Sequence, residues 1–140
     1  MEPFEYYLKN NLVKKISPNI FRAKFLIKDV NLRLEFLKQI DIEKFPKFFF
    51  EHLYDIIRDF CDAVLFIDGY KSHSHEASIA YLLNKGFDFT TVKKLDIFRY
   101  KRNGSKYYGE PISVDDAKSI NEIYLLIKDK LKKIIGDKLK

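Results

Sequence analysis

The apolar positions of this chain repeat at helical spacing over three long stretches. Ile20, Ala23, Ile27, Val30, Leu34 and Leu37 are separated by alternating steps of three and four residues. Phe49, Leu53, Ile56, Phe60, Ala63 and Ile67 do the same, as do Ala117, Ile120, Tyr124, Ile127, Leu131 and Ile134. This rhythm keeps one side of an α-helix apolar. It predicts helices from about Pro18 to Gln39, from about Lys47 to Asp68, and from Ser113 past Ile134. Short helices over about 4–15, 74–85 and 90–103 complete the reading. Ser17 is placed to cap the second helix, with Pro18 at its first position. Ser113 and Asp116 have the spacing of a reciprocal capping box. Gly69, Gly86 and Gly136 follow periodic stretches, as left-handed helix ends do. "DIEKFP" (41–46) and "SKYYGEPIS" (105–113) read as loops, and no period-two alternation marks a strand. Three helices sharing a period near 3.5 pack almost antiparallel, at about 20°. The expectation is therefore an all-α, up-down antiparallel four-helix bundle with an additional short helix, in a single domain over 1–140.

The polar positions complicate this picture in two places. At about 100° per residue, Arg99 and Arg102 share the side of the 90–103 helix that carries Leu95, while Lys93, Lys94 and Lys101 lie opposite. A guanidinium on a core-facing side needs a partner or a wet edge. On the 47–68 helix, Glu51, Asp55, Arg58 and Asp62 form one stripe opposite the apolar set. That stripe reads either as a solvent face or as a surface for a second subunit or for an arginine from the later helix.

Composition narrows the class. The chain has 140 residues, 46% of them apolar, with thirteen Phe, nine Tyr and no Trp, which argues against disorder. No apolar run is long enough to span a membrane, and the N-terminal "MEPFEYYLKNN" does not read as a signal peptide. One cysteine, Cys61, excludes an internal disulfide and reads as a buried, inert thiol. These features read as an intracellular, cytoplasmic protein. The net charge of +6 is uneven: segments 93–110 and 128–140 each carry six cations and two anions, and the remainder is slightly acidic. A localised basic surface fits a polyanion such as RNA or a nucleotide, or else a solvated lysine-rich face.

The stretch "YDIIRDFCDAVLFIDGYKSHSHEASIAYL" (54–82) followed by "LDIFRYKRNGSKYYG" (95–109) resembles the HEPN domains of archaea and bacteria. The earlier "LVKKISPNIFRAKFLIKDVNLRL" (12–34) is similar to the opening of the small single-domain members. The resemblance implies an all-α bundle of HEPN type that usually dimerises around a polar cleft. Many members are metal-independent endoribonucleases whose signature is an Arg, often followed by Asn, with a His four to six residues later. Others partner small nucleotidyltransferases in toxin–antitoxin pairs or bind nucleotides. Arg102 and Asn103 match the start of that signature, whereas Tyr107, Tyr108 and Gly109 stand where the His falls. Tyrosine, with a pKa near 10, is a poor general base at neutral pH, so the resemblance implies weak or absent cleavage with phosphate binding and dimerisation retained.

On this reading Arg99 and Arg102 supply donors to phosphate, Asn103 an amide, and Tyr107 or Tyr108 a hydroxyl or stacking face. The competing reading is structural. There an Asn-Gly turn ends the helix, Arg99 and Arg102 answer the carboxylates of the 47–68 helix, and Tyr107 closes the core. "HSHE" (73–76) reads as a helix start capped by Ser72 or Ser74, with Glu76 in its first turn, and not as a metal site. His75 and Glu76 match a recurrent pair of the family, and His75 is a candidate substitute proton carrier beside Arg102. His52 borders an apolar face and reads as packing. Phe48, Phe49 and Phe50 cannot all be buried by one helix face, so they read as a core plug plus a dimer contact. No cofactor or metal is expected. The alternative function is a non-enzymatic helical partner of a nucleotidyltransferase, held through the stripe on the 47–68 helix.

Overall fold

A computed structural model describes residues 1–139 of the chain, with side chains described as far as Gly136. Among these residues the fold is mostly helical. In order, α1 (Phe4–Lys9), β1 (Val13–Lys15), α2 (Ile20–Leu37), α3 (Pro46–Asp68), β2 (Tyr70–Ser72), α4 (His75–Ala80), a 3-10 turn (Tyr81–Lys85), α5 (Phe89–Tyr108) and α6 (Val114–Leu139) follow one another. The all-α class expected from periodicity is met, with one two-stranded sheet added.

Helix α3 lies at the centre and packs against α2, α4, α5 and α6. Its expected apolar set is buried, and so are Phe50, Tyr54, Ile57, Cys61, Val64 and Leu65. The buried arc is therefore much wider than one stripe, because neighbours enclose α3 on several sides. Phe49 and Phe50 point inward, whereas Phe48 stays exposed. A single cluster of buried side chains runs from Phe4 to Ile135.

Several boundaries differ from expectation for identifiable reasons. The first helix stops at Lys9, not near residue 15, because Asn11 takes a positive φ of 59° and the chain turns into β1. Val13–Lys15 then pairs antiparallel with Tyr70–Ser72, a pairing that strand periodicity cannot reveal in segments of three residues. Gly69 makes the pairing reachable. Its φ of 89° ends α3, and a Cβ there would meet the Ile16 carbonyl oxygen at 2.8 Å. Asn19, not Ser17, caps α2, its side chain accepting from the Arg22 amide at 2.9 Å.

The largest difference is α5, which does not stop at Asn103. It continues through the Asn103-Gly104 pair to Tyr108 and ends at Gly109, whose φ is 67°. The expected Asn-Gly turn and the loop beginning at Ser105 are thus replaced by helix. Gly104 and Ser105 are buried in the last two turns, so packing offsets the poor intrinsic helix preference of glycine. Gly136 likewise lies inside α6 and is not a left-handed end. The capping box opening α6 is formed as expected: the Asp116 amide donates to Ser113 Oγ at 3.0 Å and the Ser113 amide to Asp116 Oδ2 at 3.1 Å.

Candidate functional site: a polar seam and the groove beside it

Three helices bring the expected residues together. Asp55, Arg58 and Asp62 come from one side of α3, Arg99 and Arg102 from the inward side of α5, and His75 and Glu76 from the first turn of α4. The stripe on α3 is consequently not a free solvent face. Arg102 Nη2 donates to Asp55 Oδ1 at 3.0 Å, and the Arg102 side chain is only 4% exposed. Its guanidinium lies 5.8 Å from the Tyr54 ring and 5.9 Å from the Tyr107 ring. From the α2 side Arg33 approaches Asp55 at 4.0 Å and Asp59 at 3.9 Å while Asp29 accepts from its Nε at 2.9 Å. A row of alternating charges therefore runs along the seam between α2, α3 and α5.

The two guanidinium groups expected to project together do not. Arg102 is sealed by its neighbours and answered by Asp55, as the structural reading of the sequence has it. Arg99 is paired elsewhere, with Asp96 on its own helix at 2.8 Å and Glu76 of α4 at 3.8 Å. Its side chain keeps 20% exposure. Burial works against the charged form of Arg99, but the hydrogen bond to Asp96 and the charges of Asp96 and Glu76 outweigh it and raise its pKa. Tyr107 does not close the core, since it is 65% exposed, and Tyr108 is more exposed still.

The seam is well supplied with donors. Arg102 Nε, Arg58 Nε, the Tyr54 hydroxyl and Ser105 Oγ are buried without a hydrogen-bond partner among the described residues. Arg58 meets Asp62 only at 3.9 Å, and Asp62 accepts instead from Ser78 Oγ at 2.8 Å. His75 stands within reach of this field. Burial lowers its pKa, and the positive charges of Arg58, Arg102 and Arg99 lower it further, against the opposing effect of Asp55. His75 is thus neutral at neutral pH. Asp59 moves the other way: burial pushes its carboxyl up to about 6 despite Arg58 and Arg33. Asp62 is raised for the same reason, opposed by Ser78 and Arg58.

Beside the seam a groove of about 370 Å³ opens to solvent, lined by Arg99, Tyr100, Asn103, Gly104, Tyr107, Tyr108 and Glu110. Four of the residues expected from the sequence, Arg99, Asn103, Tyr107 and Tyr108, meet here, while Arg102 lies behind the wall. Tyr100, Gly104 and Glu110 were not foreseen. Tyr100, Asn103, Gly104 and Tyr107 are spaced i, i+3, i+4, i+7, the signature of one helix face. That signal is visible only once the helix is carried through Asn103-Gly104. Glu110 folds back over Gly104, where an added Cβ would lie 2.3 Å from Glu110 Oε2. Its carboxylate therefore puts a negative charge against the Gly104 side of the groove.

His73 and His75 do not share a role. The His73 amide donates to the Leu12 carbonyl at 2.8 Å, which anchors the strand pair, and Ser74 caps α4 by accepting from the Ala77 amide at 3.1 Å. Among the described residues no three His, Cys, Asp or Glu side chains gather to hold a metal ion. No helix among them is long and apolar enough to cross a membrane. No family model, no curated protein and no solved structure matches the chain.

Proposed function

We propose that this chain is a HEPN-like, up-down helical domain that binds a phosphate-bearing ligand, RNA or nucleotide, in the groove on α5 and works as a homodimer. What carries the reading is one juxtaposition. Arg99 offers a permanent cation, Asn103 an amide, and Tyr107, Tyr108 and Tyr100 offer ring faces and hydroxyls, all in one open groove. A guanidinium beside aromatic faces is the arrangement that single-stranded nucleic acid uses, one part taking phosphate and the other stacking on bases. Arg102 acts in this reading as a positioning residue. Held by Asp55, it fixes the α5 face that carries Arg99 and Asn103.

Binding is favoured over turnover. No histidine lines the groove, and Arg102, the residue that would neutralise charge developing on phosphate, is committed to Asp55. His75 is neutral and near the arginines, but it sits on α4 behind the wall. Dimerisation is supported by α2. Phe21, Phe25, Leu32 and Phe36 all exceed half exposure and fall on the side of the helix opposite its buried Ala23 and Val30. A row of this kind marks an interaction surface.

The second reading, a non-enzymatic helical partner of a nucleotidyltransferase, draws on the burial of Arg102 as an internal brace. Arg99→Ala separates the two when tested against a fluorescein-labelled single-stranded RNA and against ADP. The phosphate reading expects Arg99→Ala to keep its thermal stability and lose at least tenfold in affinity. Wild-type protein that binds neither probe at low salt would overturn it.

A further inference from the structure

We infer that the groove between α2 and α6 receives an acidic amphipathic helix from a partner protein. It stands apart from the phosphate-binding reading and uses none of its residues. The groove has a volume of about 460 Å³, with Leu34 and Leu37 of α2 on one wall, Phe49 of α3 in the floor, and Tyr124 and Leu125 of α6 on the other wall. Leu37, Phe49 and Tyr124 are buried at its base, whereas Leu125 is 51% exposed at its edge. Burial, with the charge of Asp129 outside the lining, raises the pKa of Tyr124.

The lining itself has one sign of charge. Lys38, Lys128 and Lys132 are the charged residues of the lining, and no carboxylate stands among them. The ion pairs of other lysines, Lys85, Lys101 and Lys118, lie elsewhere, and these three have none among the described residues. An apolar trough with unanswered cations along its edge selects an occupant with an apolar ridge and flanking carboxylates.

Dimensions select a helix. The lining runs from Asn121 to Lys132 along α6, about 16 Å at the helical rise, or three turns. A trough between two helices with a third beneath it is the setting in which another helix seats its i, i+3, i+7 side chains. The surface is separate from the aromatic row on α2, because Leu34 and Leu37 face away from Phe21 and Phe36. One chain can therefore hold a second copy and this partner at once.

The test uses the full chain and two synthetic helical peptides of about fourteen residues with the same leucine ridge, one flanked by glutamates and one by lysines. The inference expects saturable binding of the glutamate peptide, about tenfold tighter than its lysine twin at low salt. Lys128→Glu with Lys132→Glu reverses that preference. Lys132→Gln alone weakens the glutamate peptide several-fold and, on an exposed lysine, leaves the fold intact. Equal affinity for the two peptides, or binding unchanged in both variants, overturns the inference. So does saturation by dodecanoate without saturation by the glutamate peptide, which would make this a site for single-chain amphiphiles.

Discussion

Arg102 and Arg99 sit three residues apart on one helix and do different things. Arg102 is buried against Asp55, so Arg102→Ala leaves that carboxylate facing Arg33 alone, and urea unfolding is expected to show a loss of about 2–4 kcal/mol. Arg99→Ala removes a partly exposed pair and is expected to cost less than about 1 kcal/mol. The sequence placed both arginines on the inward side of α5 but could not tell them apart, because Asp55, which holds Arg102, lies in α3 and Glu76, the second partner of Arg99, lies in α4, both far away in the chain. Titration gives a second test. Asp59 has its folded pKa raised to about 6, so between its unfolded value near 4 and pH 6 the folded state holds the extra proton. Its contribution to stability therefore grows as pH falls through that window. His75 has its folded pKa lowered, so its contribution is present above pH 6.5 and is lost as pH falls below it. The two oppose one another. Asp59→Asn is expected to make thermal stability fall more steeply on acidification from pH 6.5 to 5, and His75→Gln to make it fall less or rise. Parallel melting curves for both variants and the wild type would contradict these assignments.

Helices with long, regular periods were legible in the sequence, and short or interrupted elements were not. Helices α2, α3 and α6 follow from spacing alone, and the Ser113–Asp116 box marks the start of α6. The strand pair escaped because three-residue strands carry no usable periodicity, and its register rests on Gly69 and on the His73 amide. Gly69→Ala forces a side chain into a left-handed backbone against the Ile16 carbonyl, and chemical unfolding is expected to show a loss of about 1–3 kcal/mol. The end of α5 was misplaced because Asn-Gly is a strong local turn signal, overridden here by burial of Gly104 and Ser105. Gly104→Ala meets only the flexible end of Glu110, so a gain in helix preference of up to about 1 kcal/mol is expected once that side chain swings aside. The same misplacement hid the groove, since its face exists only if the helix continues.

Three surfaces outside the core bear on binding: the groove on α5, the aromatic row on α2 and the lysine-edged trough beside α6. On the proposed homodimer reading, the wild type is expected to sediment as a dimer, and replacing Phe25 and Phe36 by Glu on α2 to yield a folded monomer in sedimentation velocity. The uneven charge of the sequence suggested a polyanion-facing side, but local composition did not show that one arginine of the cluster would be locked inside. Glu110 supplies the sharpest discrimination, because on the phosphate reading its carboxylate, which lines the same groove as Arg99, would repel the ligand. Fluorescence anisotropy of a labelled single-stranded RNA at low salt should be compared across wild type, Arg99→Ala and Glu110→Gln. Affinity is expected to fall at least tenfold in the first variant and to rise several-fold in the second, with both melting temperatures within a few degrees of wild type. Equal affinities in all three proteins, or changes of the same sign in both variants, would contradict a phosphate seat in the α5 groove.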